Sequence, residues 1–304
     1  MLTGSERMLQ RPIGKLVNAL RTLGAKIDFV GEEGYPPLQI HPADSTDLNE
    51  VSIEANTSSQ FISSLLLIGP TLPNGLKLHL SNKVVSRPYI EMTLGIMQYF
   101  GVEHSWVENV IEIKPQAYQA KDFVVEADWS AASYYYGLAA LSDTCSLQLD
   151  GLFKESFQGD AAIIQIMEKL GVHSTFNETG VLLTKEKDAI TTPILEWNFI
   201  ECPDLAQSVA ATLAGLAKQG LFSGLETLYI KETDRVKALQ NELGKMNYFI
   251  SKLPPKLTGD VEDQFYLLDG QVSFPEVYEI ETYEDHRMAM ALAILSILHP
   301  LVIH

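Results

Sequence analysis

Two kinds of helical run alternate along this chain at a spacing of roughly 75 residues, and that phasing limits its fold more than any local propensity. The first kind has a polar or proline-containing start, an apolar-periodic body and a Gly-like stop. Its copies are "RPIGKLVNALRTLGAKI", "RPYIEMTLGIMQYFGVEH", "GDAAIIQIMEKLGVHS" and "DRVKALQNELGKMNYFI". Their stops fall at Gly24, Gly101, Gly171 and Asn247, with gaps of 77, 70 and 76 residues. Glycine and asparagine accept the left-handed backbone that ends many helices. The second kind is "SSQFISSLLLIG", "WSAASYYYGLAAL", "DLAQSVAATLAGLA" and "DHRMAMALAILSIL", beginning near Ser58, Trp129, Asp204 and Asp285. These runs are apolar nearly all round, which predicts buried helices. Short β-like runs such as "KLHLS", "VIEIK", "LQLDG", "VLLTK" and "QFYLLD" lie between them.

The repeating unit is therefore strand, helix, strand, helix, then strands, about four times over. Its period is too long for a solenoid module. It predicts an α/β protein of small subdomains packed around shared buried helices. A boundary near Glu126 would divide the repeats two and two, as domains 1–126 and 127–304. The chain enters a helix signal almost at once and stops on "HPLVIH", so we expect a protein incomplete at both ends.

Charge and cysteine usage narrow the function classes. A formal net charge of −17 argues against a nucleic-acid or anionic-membrane partner. Against that field, basic residues gathered among hydroxyls and glycines become informative. The two cysteines, Cys145 and Cys202, and the seven histidines have neither disulfide-framework nor metal-ligand spacing. "MLTGSERMLQ" lacks the apolar core of a signal peptide, and the longest apolar run, Met288 to Leu298, is too short to span a bilayer. The expectation is a soluble cytoplasmic protein without a zinc site.

Helix N-termini attract anions and disfavour cations, yet Arg11, Arg87, Arg235 and Arg287 all sit at such starts. A salt bridge or a solvated guanidinium explains any one of them alone. In equivalent positions of a repeat they suggest a site for small polyanions, which arginine's planar fork suits. "NTSSQ" adds Thr57, Ser58, Ser59 and Gln60, and "SRPY" adds Ser86 and Tyr89; one cap needs only one such side chain. Asp204 follows Pro203 where an N-cap belongs. "IKETDR" crowds Lys231, Glu232, Asp234 and Arg235 between a strand and a helix, so some must point into a cleft, where carboxylates beside cations suit proton transfer. Asp234 reads as a cap or an arginine partner, and His286 as a structural hydrogen-bonding group.

"RPIG", "SSQF", "SRPY", "QGD", "KETDR" and "DHRMAMA", in this order and over essentially the whole chain, resemble the 5-enolpyruvylshikimate-3-phosphate synthase family. The resemblance implies a two-domain enolpyruvyl transferase fold of six βαβαββ units, about four of them present here. The family's active site lies in the cleft between its domains, and no cofactor takes part. It implies transfer of the enolpyruvyl group of phosphoenolpyruvate to the 5-hydroxyl of shikimate 3-phosphate, releasing phosphate, by a protein that is a monomer when complete. Carried over by motif, Ser58, Ser59 and Ser86 would hold the shikimate 3-phosphate phosphate group, with Gln60 and Tyr89 lining that pocket. Arg11, Arg235 and Arg287 would hold phosphoenolpyruvate. Lys231 and Asp204 would bind the shikimate hydroxyls, Asp204 as candidate base, and Glu232 would move the proton at the methylene carbon.

This sequence also departs from the family. Arg87 matches no family ligand. The family's N-terminal substrate ligands and its C-terminal lysine have no counterpart here, and Thr227 stands where many relatives carry asparagine, so weak or absent turnover is the expectation. Two rival readings remain: an enolpyruvyl transferase acting on a UDP-sugar, typically with a loop cysteine, and a truncated anion-binding module without catalysis.

Overall fold

The computed structural model describes residues 1–42, 47–56, 58–82, 84–187, 192–254, 256 and 264–304. The chain separates into two compact units, Met1–Phe123 and Val124–His304.

The first unit opens with α1 (Glu6–Leu9), α2 (Gly14–Thr22) and the antiparallel pair β1 (Lys26–Phe29) and β2 (Leu38–His41). A complete repeat follows: β3 (Glu50–Glu54), α3 (Ser59–Ile68), β4 (Leu76–Ser81), α4 (Arg87–Tyr99), β5 (His104–Val107) and β6 (Val110–Ile113). Its sheet has the order β3-β4-β6-β5, with β3 and β4 parallel and the other pairs antiparallel. Val51 and Ile53 alternate with exposed Glu50, Ser52 and Glu54, so one face of the sheet takes the helices and the other takes water.

The second unit comprises α5 (Trp129–Leu141), β7 (Cys145–Asp150), α6 (Ile163–Glu168), β8 (His173–Phe176), β9 (Gly180–Lys185), β10 (Ile194–Asn198), α7 (Ala206–Gly215), β11 (Gln219–Ser223), α8 (Arg235–Gly244), β12 (Tyr248–Lys252), β13 (Phe265–Gly270), β14 (Tyr278–Ile280), α9 (His286–Ala293) and β15 (Leu301–Ile303). Its central sheet, β10-β11-β13-β12, has the order and strand directions of the sheet in the first unit. Even a single hydrogen bond recurs: Ala55 N–H to Ser81 O and Phe199 N–H to Ser223 O, both 2.8 Å. The remaining elements are partial copies of the same plan, β7-β9-β8 from α5 onward and the parallel pair β14–β15 around α9.

Both helix kinds form where the spacing placed them. The four stops do adopt positive φ: 93° at Gly24, 86° at Gly101, 82° at Gly171 and 59° at Asn247. The burial expectation needs correction. α5 and α7 are buried nearly all round because each is packed against the other and against further helices of the second unit. α3 and α9 hide only one face; Leu67 of α3 is 49% exposed and Met290 of α9 is 44% exposed.

The topology also sets where polar groups gather. Parallel strands end at the same sheet edge, so β3–β4 bring the starts of α3 and α4 together, and β10–β11 do so for α7 and α8. In the first unit the two connecting loops are joined by Val85 N–H to Ala55 O at 3.2 Å.

Candidate active site

In the second unit the helix-start charges converge on Asp204. This residue is not an N-cap; it lies in a 3-10 turn, Pro203–Leu205, leading into α7, and its side chain turns outward to its neighbours instead. Asp204 Oδ1 accepts from Arg235 Nη1 at 2.9 Å and meets Lys231 Nζ at 3.3 Å, while Oδ2 lies 3.5 Å from Arg287 Nη2. Burial alone would push the Asp204 carboxyl up, but Lys231, Arg287 and Arg235 outweigh it and hold the pKa below the usual carboxylate range.

Arg235 is the buried centre of the group at 1% exposure. Its Nε donates to Asp285 Oδ2 at 2.8 Å and its Nη2 to Asp285 Oδ1 at 3.3 Å, a bidentate fork; Nη2 also donates to Glu232 Oε2 at 2.7 Å. With the bond to Asp204, four of its five N–H groups serve carboxylates, and no described residue takes the fifth. Arginine at the first position of α8 is thus tolerated because three carboxylates offset both its charge and the helix dipole. Lys231, Glu232 and Arg287 are the more open members, with side chains 28%, 36% and 19% exposed. Burial works against the Arg287 charge, yet Asp204, Tyr134, Asp160 and Asp128 hold its pKa above the ordinary value.

Asp234 caps α8, its Oδ1 accepting from Lys237 N–H at 3.0 Å. His286, expected to form a structural hydrogen bond, is exposed at the start of α9. Thr227 Oγ1 is buried one turn before Lys231 and makes no hydrogen bond among the described residues. Two members escaped sequence reasoning. Asp285 caps α9 through Arg287 N–H at 2.9 Å while gripping Arg235; its signal was an Asp directly before an apolar run. Tyr134, inside the buried run "SYYYG", meets Arg287 with its hydroxyl, and no local pattern marks it.

In the first unit, Ser58 caps α3 through Gln60 N–H at 3.3 Å; Ser59 opens the helix and Gln60 is exposed. Thr57 lies outside the described residues. Ser86 is buried, left-handed at φ 54°, and precedes α4 without capping it by its side chain. A non-glycine residue held in that region is strained and is found where the surrounding structure needs it. Tyr89, one turn into α4, and Arg11, ahead of α2, are both half-buried. Arg87 does not join a common site: its Nε donates to Glu91 Oε1 at 2.7 Å and its guanidinium stacks 4.2 Å over Trp106. The plain salt-bridge reading holds there, because the i,i+4 partner is already in reach. Arg87→Ala is accordingly expected to leave kcat and KM within about twofold, as surface ion pairs contribute little; steady-state kinetics checks it.

Among the described residues, no group of His, Cys, Asp and Glu could hold a metal ion, and no helix is long and apolar enough to cross a membrane. What the site offers is a set of cations with interleaved carboxylates.

Such a cluster, on paired βαβαββ units, defines a protein of the enolpyruvyl transferase fold. An EPSP synthase from Acinetobacter baumannii superposes with a TM-score of 0.67 at 19% identity, over 96% of this chain and 66% of that one. The enolpyruvyl transferase NikO from Streptomyces tendae gives 0.65 at 12% identity over the same shares. A model of the family EPSP synthase (3-phosphoshikimate 1-carboxyvinyltransferase) matches residues 1–303, and the chain belongs to that family. A 3-phosphoshikimate 1-carboxyvinyltransferase from Bacteroides fragilis is 45% identical over 99% of this chain and 71% of its own length. One from Sulfurovum sp. is 36% identical over 98% of this chain and 66% of its own.

Proposed function

We propose that the protein transfers the enolpyruvyl group of phosphoenolpyruvate to the 5-hydroxyl of shikimate 3-phosphate, releasing phosphate, in the cytoplasm and as a monomer. The supporting observation is the meeting of Lys231, Arg235 and Arg287 on Asp204, with Glu232 on the far side of the same guanidinium. Positive groups suit two phosphorylated substrates, and fixed carboxylates beside them suit proton movement without a cofactor.

In this reading Lys231 and Asp204 bind the shikimate hydroxyls, and Asp204 takes the proton of the attacking one. Glu232 delivers a proton to the methylene carbon as the C–O bond forms and removes one as phosphate leaves. Arg287 and Arg11 hold phosphoenolpyruvate, and Arg235 orients the three carboxylates while offering it one N–H. Ser58, Ser59, Ser86, Gln60 and Tyr89 serve the shikimate phosphate. The two units correspond to the family's two domains.

The test is phosphate release with both substrates. Release with shikimate 3-phosphate, and none with a UDP-sugar acceptor, supports the assignment. Shikimate 3-phosphate binding without release would favour the anion-binding module. The UDP-sugar reading has little support from the thiols: Cys202 is 2% exposed and burial pushes its pKa up to about 12, while burial also raises that of Cys145.

The two serines separate capping from binding. Ser58→Ala should lower stability by about 1 kcal/mol through the lost cap, with a raised KM for shikimate 3-phosphate. Ser86→Ala, which removes no cap, should leave the melting temperature unchanged and raise that KM about tenfold, the loss of one charge-assisted hydrogen bond.

A further inference from the structure

Glu242 lies on α8 seven residues beyond Arg235, two turns along the same face. It is 1% exposed, and each of its acceptor atoms is used. Oε1 accepts from Tyr283 Oη at 2.7 Å; Oε2 accepts from Lys245 Nζ at 2.6 Å and from Glu281 N–H at 3.2 Å. Its backbone carbonyl accepts from Tyr278 Oη at 3.0 Å. Lys245 Nζ also donates to Glu279 O at 2.9 Å, and Asn241 Nδ2 to Tyr283 Oη at 3.3 Å. Everything Glu242 holds apart from Lys245 thus belongs to β14 or to the loop that runs from β14 into α9.

That loop has a conformation in need of holding. Tyr283 and Glu284 are consecutive left-handed residues, at φ 57° and 55°, and neither is glycine. The next residue is Asp285, which forks onto Arg235 and caps α9; two further on is Arg287, which faces Asp204. The loop is therefore fastened to α8 at two points, Glu242 and Arg235, with the strained pair between them. Burial pushes the Tyr283 hydroxyl pKa up and its bond to Glu242 pushes it further, so the phenol keeps the proton it donates.

We infer that Glu242 and Tyr283 form a positioning latch that keeps this left-handed turn in register, so that Asp285 and Arg287 stay aimed at Arg235 and Asp204. Neither touches a reacting atom. Their effect passes through Arg287, the more open of the two arginines in the cluster, and so falls on the binding of the anionic donor. The assignment of that donor as phosphoenolpyruvate rests on the function proposed above.

The test uses Tyr283→Phe and Glu242→Gln in the whole protein, with two readouts. In hydrogen exchange, Tyr283→Phe should speed exchange over residues 281–289 about tenfold, the loss of one hydrogen bond to a charged group, while 129–141 is unchanged. In steady-state kinetics, each variant should raise KM for phosphoenolpyruvate about tenfold on the same ground, with KM for shikimate 3-phosphate unmoved and kcat within about threefold. The double variant should be no worse than either single one, because the two residues act as a unit. Glu284→Asn, an asparagine being more tolerant of left-handed backbone, should restore much of the lost affinity to Tyr283→Phe, which a loss of general stability would not permit. Unchanged exchange over 281–289 overturns the latch whether or not the protein turns over. Equal rises in both KM values, additive losses or no rescue overturn it too. Faster exchange in a protein that releases no phosphate with either acceptor upholds the latch and rejects the activity instead.

Discussion

Arg235→Met is expected to destabilise the second unit by about 3–5 kcal/mol in urea unfolding and to abolish turnover, because it leaves buried carboxylates without their counter-charge. Asp285, 1% exposed, loses its bidentate partner outright, and Asp204 and Glu232 lose one cation each. Arg235→Lys should fail nearly as badly, by about 2 kcal/mol, since one ammonium cannot span three carboxylates as the planar fork does. The pH dependence of the native protein follows from Asp204. In the native protein the folded pKa of Asp204 lies below the ordinary carboxylate value, so its contribution is complete above that ordinary value. It is lost as the pH falls through the folded value. Urea unfolding curves of the two proteins at neutral pH decide the matter; a variant as stable as the native protein would contradict the cluster drawn here.

Much of the fold was legible because its signals are local. The apolar stripe Val236, Leu239, Leu243 and Met246 is buried as its spacing required, and the stops at Gly24, Gly101, Gly171 and Asn247 have the backbone sign their residue types allow. Hydrophobic character alone did not show which helices are covered on every side. α3 and α5 read alike, and only the number of neighbouring helices separates them. At the site, the helix-start positions of Arg235 and Arg287 and the crowding in "KETDR" could be read from the chain. Their partners could not: Asp285 lies 50 residues from Arg235, and Asp204 lies 31 residues away. Residue type at a helix start announces an uncompensated charge. Whether that charge is met by a local exposed carboxylate or by buried ones from distant segments is not written at the helix start, which is why Arg87 and Arg235 look equivalent in sequence and differ in the fold.

Asp204→Asn should separate affinity from turnover, moving them in opposite directions. In the native cluster Lys231, Arg235 and Arg287 face Asp204, Glu232 and Asp285, and Asp160 and Asp128 also act on Arg287. Replacing Asp204 with an amide of the same shape removes one negative charge, nearest to Lys231 and Arg287, its more open members. Inorganic phosphate and phosphoenolpyruvate should then bind more tightly, on the order of tenfold for a partly buried unit charge, as titration calorimetry would show. Turnover should nevertheless fall by about 10²–10⁴, the usual effect of losing a positioned proton acceptor. A merely structural aspartate predicts weaker binding together with slower turnover; an anion-repelling one predicts tighter binding with turnover intact. Tighter binding with lost catalysis requires a carboxylate that the anionic donor must tolerate and the attacking hydroxyl must use. The low pKa of Asp204 fits the same expectation: Lys231, Arg287 and Arg235 weaken it as a base. Under the proposed function, proton acceptance at Asp204 is expected to strengthen as the anionic substrate draws on those cations.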